Sequence, residues 1–220
     1  MINTVSSVKT GKKIGLFGGS FDPPHLGHVA LVHAGLAMGM DEVWVIPAFP
    51  VHRVLSGKAD AATRLLWLHK LFESDPRVRV LDWEISQSTP TPAVHTLRKF
   101  KAAYPGIVPW LMLGQDAWQG LESWFEYPSH QKLCNVAVFA RQSDEFDKLS
   151  NRSTSHAGWQ PVAMDSWEEC VTPGHCCDVA VLLPEVSATL IRKKAVMGLS
   201  LADLVPKVLQ SDIARQYRKK

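Results

Sequence analysis

The chain has 220 residues, 46% of them hydrophobic and 20% charged, a size and balance at which one α/β domain buries a sizeable core without disulfides or metals. Twenty-four Lys and Arg against 21 Asp and Glu leave a formal charge of +3, which suits a small polyanionic ligand and falls well short of a nucleic-acid-binding composition. The apolar stretch over 29–40 is interrupted by His33 and two glycines and is too short to cross a bilayer.

Residues 1–12 are rich in Ser, Thr and Lys without the apolar run of a signal peptide, and read as a mobile leader before a single domain over 13–220, with a cytoplasmic location expected. Short apolar runs at 13–17, 42–46, 78–83, 109–113, 135–140 and 179–183 predict six strands. Between and after them, three- and four-residue apolar spacing predicts helices over 26–38, 62–73, 94–103, 117–125, 187–197 and 200–213, with Pro206 breaking or re-capping the last. This alternation specifies an α/β, Rossmann-like, doubly wound parallel sheet with helices on both faces and a C-terminal helical segment. The polar, poorly periodic stretch over 142–177 reads as a lid, a partner surface or a disordered loop, with Trp159 and Trp167 as local packing anchors. The basic end, Arg215 to Lys220, reads as a solvated tail.

Of the four cysteines, Cys170, Cys176 and Cys177 cluster around His175 and Cys134 stands apart. Their spacing is not a repeated CxxC, so reduced thiols are expected, no metal site is assigned, and a zinc-holding interaction domain is the alternative.

The chemistry begins where the first strand runs into Gly18-Gly19-Ser20-Phe21 and then Asp22-Pro23-Pro24, read as a helix start with proline in its first turn. Glycines let a phosphate approach the backbone, and a helix amino terminus offers N–H donors and a favourable dipole. His25 and His28, three apart, share one helix face at that end, and Gly27 between them is expected to leave room for a phosphate. His33, His69, His95, His130 and His156 read as satisfied core residues. Near the other end, Ser187, Thr189 and Arg192 combine a cap, a hydroxyl and a guanidinium at a helix start, which is a second anion site.

GGSFDP followed by HLGH resembles the signature of the nucleotidyltransferase superfamily. Four later segments, in order, resemble the bacterial nicotinate-mononucleotide adenylyltransferase family: Ile46 to Arg53, Leu113-Gly114-Gln115-Asp116, Ser123-Trp124-Phe125-Glu126-Tyr127, and Val186 to Arg192. The resemblance implies that His52 and Arg53 face phosphates and that Asp116 meets a ribose hydroxyl or helps hold Mg²⁺, where the sequence alone also allows a helix N-cap. It further implies that Trp124 and Phe125 cover a pyridine ring. The family commonly has Ser-Tyr-Thr where this chain has Thr91-Pro92-Ala93, so Thr91 is placed at the pyridine site and the choice between acid and amide stays open. Arg141 lacks the Pro-Gly that follows its family counterpart and is left outside the site.

The implied reaction is attack of the 5′-phosphate of nicotinate mononucleotide on the α-phosphorus of ATP, with His25, His28 and Arg192 stabilising charge, Mg²⁺ as cofactor, and ATP and a pyridine mononucleotide as partners. A homo-oligomer is compatible, and neither nucleic acid nor membrane is expected as a partner. The alternatives are another phosphate acceptor, including nicotinamide mononucleotide, phosphopantetheine or a sugar phosphate, and a non-catalytic nucleotide-binding module.

Overall fold

The computed structural model describes residues 11–49, 59–87, 89–141, 156, 158–181 and 183–218. Strands β1 (Ile14–Gly19), β2 (Glu42–Pro47), β3 (Val78–Val80), β4 (Trp110–Gly114), β5 (Asn135–Arg141), β6 (Gln160–Pro161) and β7 (His175–Val181) form one sheet. Every pairing is parallel, in the order β3-β2-β1-β4-β5-β7-β6. The order reverses between β1 and β4, which puts a crevice outside their carboxyl ends.

Helices α1 (Leu26–Ala37), α2 (Ala61–Phe72), α3 (Ala93–Ala103) and α4 (Gln115–Gln119) connect the strands, and α5 (Ala188–Val196) and α6 (Gln210–Arg218) close the chain. Because side chains alternate along a strand, each central strand feeds two cores. Phe17, Val43, Val45, Met112 and Phe139 meet α1 and α2 on one face. Leu16, Trp44, Ile46, Leu111 and Val138 meet α3 and α4 on the other. A third cluster packs Ile191, Ala195, Ile213 and Tyr217 of the last two helices on Trp67 of α2.

The α/β, doubly wound reading therefore holds, with corrections. The described residues form seven strands, and the last begins at His175, because buried Cys176 and Cys177 alternate between the two cores. The same alternation turns the adjacent thiols to opposite faces, and among the described residues no group of three or more His, Cys, Asp or Glu is placed to hold a metal ion. Helix α4 stops at Gln119 before Gly120, so Trp124 lies beyond it, after a 3-10 turn at Leu121–Ser123. The helix expected over 200–213 is displaced: a 3-10 turn follows Pro206 and α6 continues to Arg218. The end of the chain is thus not a solvated tail as far as Arg218, since Tyr217 is buried. Trp159 and Trp167 are buried anchors, as expected. Among the described residues, no helix is long and apolar enough to cross a membrane.

Candidate active site

The glycine turn forms because β1 ends in two residues without side chains. Gly18 and Gly19 still pair with Ile46 and Pro47 of β2, and the chain then turns through Phe21 at a φ of 45°, a left-handed conformation uncommon outside glycine. Phe21 is 1% exposed and meets Phe17 and His28 edge-on, with ring centroids 5.3 and 4.8 Å apart. Burial of the ring holds that conformation in place. An added Cβ on Gly19 would meet the Phe21 ring at 3.1 Å, whereas one on Gly18 would meet nothing within 4 Å.

Pro23 and Pro24 precede the helix rather than occupying its first turn; His25 is its N-cap residue. The His25 and His28 rings stack with centroids 3.6 Å apart. The backbone N–H of His25 donates to Nδ1 of His28 at 3.1 Å, which fixes the neutral His28 tautomer with its proton on Nε2. Burial lowers the His25 pKa to about 4. Burial and then the neighbouring His25 hold His28 well below the ordinary range. Both imidazoles are neutral donors at pH 7. Gly27 makes room for a ring rather than open space: an added Cβ would lie 3.1 Å from Nδ1 of His25 and from Val186. The Leu26 amide at the start of α1 is occupied by the Leu204 carbonyl at 3.0 Å.

Arg192 reaches this loop from α5. Its Nη1 donates to the Asp22 carbonyl at 2.5 Å and its Nη2 to Oγ1 of Thr189 at 3.1 Å. Ser187 accepts from the Leu190 amide at 3.2 Å and acts as an ordinary N-cap. Two residues that sequence reasoning passed over hold the loop from below. Arg64, 4% exposed, donates to the carbonyls of Ser20 and Ala48 at 2.6 and 3.0 Å; burial lowers its pKa, opposed by the Asp22 carboxylate. Tyr217 donates to the Asp22 carboxylate at 2.6 Å.

A cavity of about 510 Å³ opens at the switch point, lined by Gly18 and Gly19 and, from the other side, by Thr91, Trp124, Phe125, Glu84, Thr96 and His130. The residues assigned to a flat ring thus lie together, and they share the cavity with the glycine turn. Thr96 donates to the buried Glu84 carboxyl at 2.6 Å, and burial nonetheless pushes the Glu84 pKa up to about 7. Gly114 is the residue before α4, and Asp116 sits inside that helix's first turn, exposed; the N-cap position belongs to Gly114, so the capping role considered for Asp116 is not its role. His52 and Arg53 lie outside the described residues.

Of the histidines expected to be satisfied core residues, His156 fits and the others differ. His33, His69 and His95 are exposed. His156 bonds Glu122 and the Trp118 carbonyl at 2.9 and 2.6 Å. His130 is buried with both ring nitrogens unpartnered. The signal that could have raised Glu84 and Thr96 from the sequence is their position flanking the Thr91 to Ala93 stretch. Arg64 and Tyr217 carry no local signal.

A parallel sheet whose switch point joins a glycine turn, paired neutral imidazoles and an aromatic-walled cavity defines a nucleotide-handling α/β protein, and the chain belongs to the cytidylyltransferase-like family, whose model matches residues 16–194. Its relatives place it, within that family, among the nicotinate-nucleotide adenylyltransferases. A protein of Albidiferax ferrireducens named a probable nicotinate-nucleotide adenylyltransferase is 32% identical, over 94% of this chain and 97% of its own. One of the same name from Thermotoga maritima is 29% identical, over 96% of each. The fold matches that of the Plasmodium falciparum nicotinic acid mononucleotide adenylyltransferase complexed with NaAD, at a TM-score of 0.66 and 18% identity over 94% of this chain and 97% of that one.

Proposed function

We propose that this chain transfers the adenylyl group of ATP to the 5′-phosphate of nicotinate mononucleotide, giving deamido-NAD and pyrophosphate. The observation that carries the reading is the cavity itself, which joins Gly18 and Gly19 to Thr91, Trp124 and Phe125 at the carboxyl ends of β1 and β4. A phosphate monoester, with a second pKa of about 6, is already ionised at pH 7 and needs no base. Catalysis then consists of alignment and charge stabilisation. The Nε2–H of His28 donates to a phosphate oxygen, His25 acts beside it, and Arg192, held by Thr189 and the Asp22 carbonyl, supplies fixed positive charge. Ser20 and Ser187 border the phosphates, and Trp124 covers the pyridine ring.

Asp116 would help hold Mg²⁺ on the triphosphate, where the ion would supply charge neutralisation for the departing pyrophosphate. The chemistry of this donor fits that role: Asp116 offers one exposed carboxylate just after the carboxyl end of β4. Pyrophosphate release with ATP and Mg²⁺, measured side by side on nicotinate mononucleotide, nicotinamide mononucleotide and phosphopantetheine, tests the proposal. Turnover highest with nicotinate mononucleotide is expected; turnover with neither pyridine nucleotide overturns it.

A further inference from the structure

His130 is the residue of the cavity that the fold does not use. It lies in a 3-10 turn, Ser129–Lys132, is 1% exposed, lines the cavity, and has no hydrogen-bond partner at either Nδ1 or Nε2. A neutral imidazole carries one N–H donor and one acceptor, and leaving such a group buried and unpaired costs roughly 1–3 kcal/mol. A residue serving only to fill space between Trp124 and Tyr127, its ring neighbours at 5.9 and 6.5 Å, would do so at less cost as leucine. His156 shows the contrast, since both of its nitrogens are engaged within the protein.

The polar groups near His130 are committed elsewhere. Glu126 is held by a bidentate pair with Arg98, at 3.1 and 2.5 Å, and Glu84 accepts from Thr96. His130 lines the cavity and shares its wall with Trp124, Phe125 and Ser123.

We propose that His130 is a specificity-determining residue, donating a ring N–H to the carboxylate carried by the pyridine ring of the acceptor. The assignment rests on the acceptor reading above. A carboxylate makes a charge-assisted hydrogen bond about twice as strong as a neutral amide oxygen does, so the imidazole favours the acid over the amide.

Steady-state kinetics of the wild type, His130→Leu and His130→Gln with each mononucleotide, ATP and Mg²⁺ test this. For His130→Leu the KM for nicotinate mononucleotide should rise on the order of tenfold, the loss of roughly one charge-assisted bond. The KM for nicotinamide mononucleotide should rise less, and kcat should stay within about threefold. His130→Gln, which keeps a donor, should recover part of the preference. Thermal melting of the leucine variant should be no lower than wild type, since an unpaired polar group has been removed. An unchanged ratio of acid to amide KM, or an equal fall of kcat with both acceptors, overturns the assignment while leaving the reaction standing. A wild type that turns over neither acceptor overturns both.

Discussion

The hydroxyl of Tyr217 donates to the carboxylate of Asp22 at 2.6 Å across 195 positions of sequence. The Ala59 amide donates to the same oxygen at 3.1 Å, and Arg192 holds the carbonyl of the same residue. The last helix therefore braces the loop that follows the glycine turn, with Lys70 and Asp212 fastening it to α2 at 2.9 Å. Tyr217→Phe removes one donor from a buried carboxylate and should cost about 2 kcal/mol in urea unfolding. The same variant should raise the KM for ATP, because the turn proposed to receive the triphosphate loses its brace. Unchanged unfolding and unchanged ATP kinetics together would show that the contact is incidental.

His28 is expected to matter through its fixed tautomer. Its Nδ1 is engaged by the His25 backbone N–H, so Nε2–H is the atom available to a phosphate oxygen. Truncation to alanine should lower kcat by about 10²–10³, the usual effect of removing one charge-stabilising donor. His28→Asn, which can keep an N–H near that position, should lose less. Wild-type turnover in the alanine variant would remove His28 from the mechanism.

Both imidazoles also predict a pH dependence of stability. Their pKa values are lower in the folded chain than the ordinary 6.5, to about 4 for His25 and well below the ordinary value for His28. Between these limits the unfolded chain binds more protons, so their contribution to stability is complete above pH 6.5 and is lost as pH falls toward 4. The melting temperature should drop over that window, and His25→Gln should flatten part of the drop. Bound triphosphate, by raising these pKa values toward the ordinary one, should make the loss smaller. A melting temperature constant from pH 7 to 4.5 would contradict this account.

Much of the fold was legible because it is set locally. The run from β1 through Gly18 and Gly19 to His28 carries its apolar strand, its turn residues and its helix within one stretch, and the central strands alternate between two cores. Where the sequence misled, distant contacts decide. Cys176 and Cys177 read as the end of a polar, poorly periodic stretch until β5 and β6 flank β7 as strand neighbours. Residues 215–218 look like solvated charge until Tyr217 enters the third core. His130 carries no periodic signal, and only the cavity separates it from a satisfied core histidine. Thr91, Trp124 and Phe125, by contrast, were named from their segments and do line one cavity.

Glu84 makes acceptor binding pH-dependent near neutrality. Its pKa of about 7, raised by burial against the bond from Thr96, means that it becomes ionised within the cavity as pH rises from 6 to 8. A negative charge there opposes the ring carboxylate of the acid and attracts the pyridinium cation of the amide, so across this range the KM for nicotinate mononucleotide should increase relative to that for nicotinamide mononucleotide. Glu84→Gln, which keeps an acceptor for Thr96, should flatten the profile. A wild-type profile that is flat for the acid, or a glutamine variant that keeps the slope, would show that Glu84 stays in one protonation state.

Gly18 and Gly19 separate a ligand requirement from a folding one. At Gly19 an added methyl meets the buried Phe21 ring at 3.1 Å, so alanine there must displace a core side chain and should lower both stability and activity. At Gly18 the protein places nothing within 4 Å of an added methyl, the residue is exposed, and its φ falls outside the left-handed region that excludes alanine. Gly18→Ala should therefore melt within about 0.5 kcal/mol of wild type, yet its methyl would stand in the cavity between the glycine turn and the aromatic wall. Turnover should fall at least tenfold, on the order of the loss that a displacement of about 1 Å brings to an aligned reaction. Calorimetric binding of an ATP analogue to the variant locates the effect: weakened binding with intact melting assigns Gly18 to the ligand, whereas unchanged binding and unchanged turnover would return the glycine to a simple strand end.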